Sequence, residues 1–204
     1  MTRLCKSASL GIVLIMLLSC RSSASDAHSS ETTLNSEQLH VYADFIQSFS
    51  KTNFKFLSNE TFPLDLSSLA KDAACLRGFQ LDETKELSKR GHSLGPDVLR
   101  GASIHLIGQR EELAILKQRD AEVVAHGVNS MMNASGMIKD PGVLALSEIA
   151  FDKSHHLAVL KYVFLCGSHC NSGVVLVLEE VGSRWTAATR RPCSVAINGE
   201  NPLP

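Results

Sequence analysis

The chain has 204 residues, of which 44% are hydrophobic and 20% are charged, a composition typical of a protein with one buried core. Removal of an N-terminal segment that contains Arg3 and Lys6 leaves 18 basic residues against 21 acidic ones, a net charge of about −3. No basic stripe is long enough to neutralise a run of phosphates, so the charge pattern argues against nucleic acid as a partner.

The first twenty residues have the pattern of an export signal. Arg3 and Lys6 precede an unbroken apolar run at residues 10–18. Nine helical residues rise only about 14 Å, which is too short for a membrane core of about 30 Å. The sequence therefore predicts a cleaved signal peptide rather than a membrane span.

The apolar run ends in Leu17-Leu18-Ser19-Cys20, which resembles the lipobox of bacterial lipoproteins. The resemblance implies that residues 1–19 are a lipoprotein signal peptide and that Cys20 becomes the lipidated first residue of the mature chain. Several acyl chains, at about 0.8 kcal/mol per buried methylene, would make a lasting membrane anchor. Arg21 stands where an aspartate retains enterobacterial lipoproteins in the inner membrane, which favours the outer membrane, facing the periplasm.

Residues 20–34 are predicted to be the lipidated cysteine and a flexible tether, because they are rich in serine and hold few large apolar side chains. Two other interpretations of this end of the chain stay open. An ordinary secretory signal cut after Ala24 would leave a soluble protein. In a eukaryotic secreted protein, Asn59 and Asn133 would be glycosylation acceptors.

Residues 35–204 are predicted to form a single α+β globular domain, and its first half mixes helices with short strands. Apolar residues recur at spacings of three and four between Leu39 and Phe49, which predicts an amphipathic helix. The basic residues Lys85, Lys89 and Arg90, with His92, are interpreted as a solvated helix face. The predicted helices are residues 36–50, 67–76, 82–89, a single turn at 96–99, and one or two helices in 110–132 broken near Gly127. The predicted strands are residues 54–57, 62–66 and 103–107.

Four apolar runs in the second half predict an antiparallel β-meander packed with the N-terminal helices. The runs are residues 143–151, 156–166, 173–181 and 184–189. Residues 152–155 and the pair Gly182-Ser183 have the length and composition of hairpin turns. The second and third runs are apolar on both parities, so both faces of the sheet should be covered. Trp185 should lie in the core or at its rim.

Three segments of this region resemble the C-terminal part of a group of uncharacterised bacterial secreted proteins and lipoproteins. That group carries an "LSxxGF" segment, a "CGxxCGxG" loop and a "GxW" hairpin. The matching segments here are Leu146-Ser147-Glu148-Ile149-Ala150-Phe151, Cys166-Gly167-x-x-Cys170-x-x-Gly173 and Gly182-x-x-Trp185. The resemblance covers less than a quarter of the chain, with Ala150 and Asn171 in place of two glycines. It implies no activity.

Four cysteines follow Cys20, and an even number of thiols in an exported protein usually indicates disulfide bonds. Of the three possible pairings, Cys166 with Cys170 and Cys75 with Cys193 is favoured. A three-residue gap in a loop that contains Gly167 can bring two Cα atoms within the required range of about 4.4–6.8 Å.

Two sharper interpretations of the same loop remain as alternatives. Cys166, His169 and Cys170 would need a further histidine, at position 92, 105 or 126, to surround a zinc ion, and Cys-x-x-x-Cys is not the usual knuckle spacing. A catalytic cysteine would need a base held by a third group. The chain has no phosphate-binding loop, zinc-protease helix or nucleophile elbow.

No catalytic residue, metal ligand or cofactor is therefore assigned. The leading hypothesis is a membrane-anchored envelope lipoprotein that acts as a binding or interaction module, with an envelope protein as its possible partner. A Cys/His-dependent enzyme or metal-binding protein is one alternative. An immunity or inhibitor protein with one partner is another.

Overall fold

The computed structural model describes residues 34–48, 54–66, 76, 78–82, 91–127, 142–168, 172–188 and 197–198. These residues form an α+β domain, as the sequence predicts, and its strands make one mixed sheet. The helices are α1 (Ser36–Ser48) and α2 (Gln109–His126), with a 3₁₀ turn at Pro96–Val98. The strands are β1 (Phe56–Ser58), β2 (His105–Ile107), β3 (Val143–Leu146), β4 (Ala150–Phe151), β5 (Leu157–Leu165), β6 (Ser172–Val181), β7 (Arg184–Ala187) and β8 (Ile197–Asn198).

The main strand order is β2-β1-β3-β5-β6-β7, with β4 beside β5 and β8 beside β6. The pairs from β3 to β7 are antiparallel, which confirms the predicted meander. Strand β1 is parallel to both β2 and β3, so the sheet is mixed. The sequence did not predict this parallel edge, because three-residue strands carry too little alternation to reveal their partners.

Both faces of the sheet are covered, as the two-sided apolar pattern of the second and third runs predicts. Alternation along β5 puts Ala158 and Leu160 in the cluster that packs against α1, and Val159 and Val163 in the clusters of the opposite face. Ile115 and Leu116 of α2 pack on that opposite face. Trp185 is buried in the α1 cluster, which confirms its predicted place in the core.

Strands β3 and β4 are one strand interrupted by a β-bulge. Leu146 pairs with Tyr162 and Ala150 pairs with Val159, so residues 147–149 lie opposite only residues 160–161. The extra residue changes which face the following side chains occupy, so Ala150 packs on the face opposite Leu146. The predicted continuous run at 143–151 was therefore wrong at its centre.

The other boundaries follow local chemistry. Gly127 directly follows helix α2 and ends it, because its φ of 75° is readily reached only by a residue without a Cβ. The helix therefore stops where the sequence predicts a break, near Gly127. The predicted strand at 62–66 was wrong, because only Phe62 makes a single parallel bridge, to Ser147. The predicted helices at 67–76 and 82–89 lie almost entirely outside the described residues. None of the described helices is both long and apolar enough to cross a membrane.

Candidate functional site: the α1–β7 groove

An open groove of about 830 Å³ runs between α1 and the β6–β7 hairpin, and is called the α1–β7 groove below. It lies on the sheet face that α1 covers, at the end of the sheet formed by β7. Helix α1 contributes Asp44, Phe45, Gln47 and Ser48 to its lining, and β6 contributes Leu176 and Leu178. The loop after the 3₁₀ turn contributes Arg100, and the hairpin contributes residues 183–187. The volume falls within the range of about 300–1,000 Å³ that is usual for ligand sites.

The wall formed by β7 presents main-chain groups that are not used inside the sheet. Ala188 donates its N–H to the Val177 carbonyl at 2.9 Å, so the even-numbered residues of this strand face β6. In an antiparallel ladder the intervening residues point the other way. The main-chain groups of Trp185 and Ala187 therefore point away from β6, toward the outer edge of the strand.

Asp44 of α1 occupies one of these outward positions. Its Oδ2 accepts the Trp185 main-chain N–H at 2.8 Å, and its Oδ1 accepts a hydrogen bond from Arg100 at 3.2 Å. The carboxylate thus satisfies one donor of an exposed sheet edge, in the way that side chains often protect such edges. Ala187, the next outward-facing residue, is exposed.

The opposite wall is held in place by contacts from α1 to the loop that follows the 3₁₀ turn. Gln47 donates from Nε2 to the carbonyls of Leu99 at 3.1 Å and Arg100 at 3.0 Å. Arg100 has a φ of 41°, uncommon for a residue with a Cβ, and Gly101 follows with a φ of 81°. The two hydrogen bonds from Gln47 and the ion pair with Asp44 hold Arg100 in this conformation.

The floor of the groove is apolar. It is made by the side chains of Phe45, Leu176 and Leu178, next to buried Trp185. Behind it, Phe45 lies 5.4 Å from Tyr162, measured between ring centroids. Burial raises the pKa of the Tyr162 hydroxyl above its ordinary value of 10.0. An apolar floor between polar walls suits a ligand that brings both apolar side chains and hydrogen-bonding main chain.

A second polar site, the Glu148 cluster, lies inside the domain at the β-bulge. The Glu148 side chain is 2% exposed and accepts hydrogen bonds from the Thr61 hydroxyl, the His92 main-chain N–H at 3.0 Å and His92 Nδ1 at 2.7 Å. Tyr42 of α1 donates to the adjacent Ser147 carbonyl at 2.8 Å. The cluster thereby joins α1, the loop after β1, the segment at His92 and the bulge.

The Glu148 cluster contains the carboxylate–imidazole pair that many enzymes use to orient a general base. Donation from Nδ1 leaves Nε2 of a neutral His92 as the acceptor, on a side chain that is 11% exposed. The Thr61 hydroxyl bonds Glu148 rather than His92 Nε2. Within the described residues, no side chain is hydrogen-bonded to Nε2 of His92. His92 is also not among the residues that line the α1–β7 groove. The contacts that the structure describes link α1, the loop after β1 and the bulge.

The structure corrects the interpretation of His92 as part of a solvated basic face. His92 is largely buried and bonded to Glu148, while Lys85, Lys89 and Arg90 lie outside the described residues. Tyr42, Thr61 and Glu148 were not singled out as site residues. The available signal was the Leu146–Phe151 motif itself, whose acidic residue inside an apolar run requires hydrogen-bond partners when buried.

Of the predicted cysteine sites, only Cys166 falls within the described residues. It is buried. The disulfide connectivity stays a prediction, because Cys20, Cys75, Cys170 and Cys193 lie outside the described residues, as does His169. In the described part of the chain, no three His, Cys, Asp or Glu side chains are placed to hold a metal ion.

Comparison of the chain with protein-family models, with curated proteins and with solved structures found no match.

Proposed function

We propose that this chain is a membrane-anchored envelope lipoprotein whose folded body binds an extended segment of a partner protein in the α1–β7 groove. The segment adds to the sheet as a strand beside β7. The observation that carries the proposal is the outward-facing main chain of β7 along one wall of an open groove with an apolar floor.

Strand addition is a common mode of peptide recognition, in which main-chain hydrogen bonds provide affinity and pockets for alternate side chains provide specificity. Ala187 offers the main-chain groups, and Leu176, Leu178 and Phe45 offer an apolar surface for side chains on one face of the added strand. Asp44, already bonded to the Trp185 N–H, limits the length of the added strand at that point. The ligand is thus a short extended segment with an apolar residue near its middle.

The N-terminal sequence supports the location. The lipobox-like segment ending at Cys20 and the serine-rich stretch before α1 give a tethered domain facing the periplasm, where segments of other exported proteins are accessible.

The test is site-specific photo-cross-linking in the native host, with a photoreactive amino acid at Ala187 in the full-length protein. The matched control carries the same group at Glu122, an exposed residue of α2 on the other face of the sheet. The expected result is a discrete protein adduct from position 187 that is missing from position 122, with the cross-linked peptide identified by mass spectrometry.

A pair of variants separates strand addition from other kinds of contact. Ala187→Pro removes an outward-facing N–H without removing a donor to β6, because the ladder uses the even-numbered residues here. Ala187→Ser keeps the N–H. The identified peptide should lose at least about tenfold in affinity with the proline variant and little with the serine variant. Equal affinity of both folded variants for the peptide would contradict the proposal.

A further inference from the structure

A histidine outside both sites described above is held between two carboxylates from distant parts of the chain. His155 lies in the turn between β4 and β5. Its Nδ1 is 2.7 Å and 2.9 Å from the two carboxylate oxygens of Glu37 in the first turn of α1. Its Nε2 is 3.1 Å from Oδ2 of Asp82. These three residues are called the His155 clasp.

The conformation of His155 is well defined by its surroundings. The ring stacks on Phe151 of β4, with 5.3 Å between centroids and 3° between planes. The backbone has a φ of 57°, in the left-handed region, and its N–H donates to the Asp152 carbonyl at 3.0 Å, which closes the turn. The ring therefore projects at a fixed angle between Glu37 and Asp82.

The geometry requires a particular protonation state. Ionised carboxylates only accept hydrogen bonds, and a neutral imidazole has one N–H to donate. Only the imidazolium form donates to Glu37 and Asp82 at once. Loss of one proton leaves a ring lone pair facing a carboxylate, which is repulsive.

The turn itself carries two other charges near His155: the carboxylate of Asp152 acts in the same direction, and the exposed cation of Lys153 acts against it. The carboxylate of Asp152 accepts hydrogen bonds from the Ser154 hydroxyl and from the main-chain N–H groups of His156 and Leu157. Although burial alone would raise its pKa, these hydrogen bonds outweigh that effect and lower it, so Asp152 stays ionised at neutral pH. His156 points elsewhere, with its Nδ1 3.5 Å from Glu180. The two groups that contact the His155 ring nitrogens from other elements, Glu37 and Asp82, are thus both acidic.

We propose that the His155 clasp is a proton-operated contact that fastens the first turn of α1 to the β4–β5 turn and to the segment at Asp82, and that opens as the pH rises. The folded protein binds the His155 proton more tightly than the unfolded chain does. The contact is therefore complete below the ordinary pKa of histidine, about 6.5, and is lost as the pH rises through the higher folded-state pKa.

The two ring nitrogens face opposite carboxylates, so the three residues do not share one metal ion.

The clasp acts where the predicted tether enters the domain. Helix α1 begins at Ser36, two residues after the end of the predicted tether at residue 34, and Glu37 is the acidic residue of its first turn. Opening the clasp frees the first turn of α1 from the sheet while Tyr42 still holds the middle of the helix to Ser147. The predicted response is local loosening at the tether junction.

The first measurement is an NMR titration of the His155 ring in the full-length protein between pH 5 and pH 9. The expected pKa lies well above the ordinary value of about 6.5. Glu37→Gln and Asp82→Asn should each bring it down, because each removes one of the two facing charges. A pKa at or below about 6.5 in the native protein, or no change in either variant, would overturn the proposal.

The second measurement is hydrogen-exchange protection of the amides at residues 37–41 over the same pH range. Protection in the native protein should fall in the interval where His155 loses its proton. In His155→Asn, which keeps a residue tolerant of positive φ, protection should be low and should not change across that interval. The control is His156→Asn at the next position, which is 72% exposed and should behave as the native chain. Constant protection in the native protein would show that the contact does not open.

Discussion

At the scale of single residues, the internal polar contacts of Glu148 matter more for stability than any exposed ion pair. Its carboxylate is buried and accepts from Thr61 and from two nitrogens of His92. If a substitution replaces this carboxylate by a neutral group or by a donor, the hydrogen-bonding groups around it lose their acceptor. Each buried group left without a partner then lowers the free energy of unfolding, because its desolvation is no longer compensated.

The first prediction is that Glu148→Gln destabilises the domain by about 1–3 kcal/mol, because its amide N–H₂ would face the donors of Thr61 and His92. Urea denaturation measures the loss as a lower midpoint. Glu122→Gln, on the exposed surface of α2, is the matched control and should change stability by less than about 0.5 kcal/mol. Equal stability of the two variants would mean that the Glu148 cluster does not join the loops.

The second prediction concerns Tyr42, one of two tyrosines in the chain. Burial raises the pKa of its hydroxyl well above the ordinary value of 10.0, the charge of Glu148 raises it further, and a hydrogen bond with Thr61 opposes this. The unfolded chain loses the proton near pH 10 while the folded chain retains it. This contribution to stability is therefore complete below pH 10 and is lost as the pH rises above it.

Denaturation curves measured from pH 8 to pH 11 test the Tyr42 prediction. Tyr42→Phe should be less stable at pH 8, because the Ser147 carbonyl loses its donor, and should then lose stability less steeply above pH 10 than the native protein. Tyr162→Phe is the comparison, because that hydroxyl is partly exposed and its pKa is raised by burial alone. Parallel curves for native protein and Tyr42→Phe above pH 10 would contradict the prediction.

At the scale of elements, helix α2 has little apolar contact for its length. Its two buried residues, Glu112 and Arg119, are both charged, and Ile115 and Leu116 are only partly buried. Burial raises the pKa of Glu112, a hydrogen bond from Ser58 opposes this, and the charge of Glu60 adds to the increase. At neutral pH the helix therefore holds a carboxylate whose charged form is less favourable in the folded state than in the unfolded one.

The third prediction is that Glu112→Gln stabilises the protein at neutral pH, since the amide still accepts from Ser58 but carries no buried charge. Because the folded-state pKa of Glu112 is raised, its contribution is most favourable in acid and is lost as the pH rises through that value. The gain in melting temperature should thus be larger at pH 7 than at pH 4. Glu111→Gln, on the exposed side of the same turn, is the control, and a gain of equal size there would point to the helix terminus instead.

The elements also show how far the sequence determines the fold. Helix α1, the β5–β6–β7 meander, its turns and the two-sided burial of β5 follow directly from periodicity and turn chemistry. The bulge at residues 147–149 does not, because it depends on the contacts of Ser147, whose hydroxyl accepts the Lys161 N–H at 2.9 Å. Nor does the parallel pairing of β1, which depends on residues far apart in the chain.

The same distinction applies to the candidate sites. The α1–β7 groove combines α1, a loop near Arg100 and the β6–β7 hairpin, so no local pattern marks it. The Glu148 cluster likewise contains hydrogen bonds between residues separated by up to 105 positions. The sequence indicated where apolar side chains would be buried, whereas the polar contacts formed by chain crossings became visible only with the fold.

At the scale of the whole molecule, anchoring and folding should be separable. The described core begins at Leu34, and its largest cluster is built from α1 and the sheet. The proposed lipid attachment at Cys20 precedes it by a stretch that is rich in serine and short of apolar side chains. Nothing in the described packing depends on residue 20.

The fourth prediction is that Cys20→Ser abolishes incorporation of a fatty-acid label and shifts the protein out of the membrane fraction, because a thioether requires the sulfur and no acyl chain remains to hold the domain. The melting temperature of the purified domain should equal that of the acylated protein in detergent, since the described core, apart from Leu34, lies beyond the predicted tether of residues 20–34. Ser19→Ala is the matched control, because it keeps a small residue before the cysteine and should be labelled as the native chain is. Labelling of Cys20→Ser at the native level would place the lipid elsewhere. A lower melting temperature with the label lost would show instead that the anchor contributes to folding, and the tether would then be part of the domain.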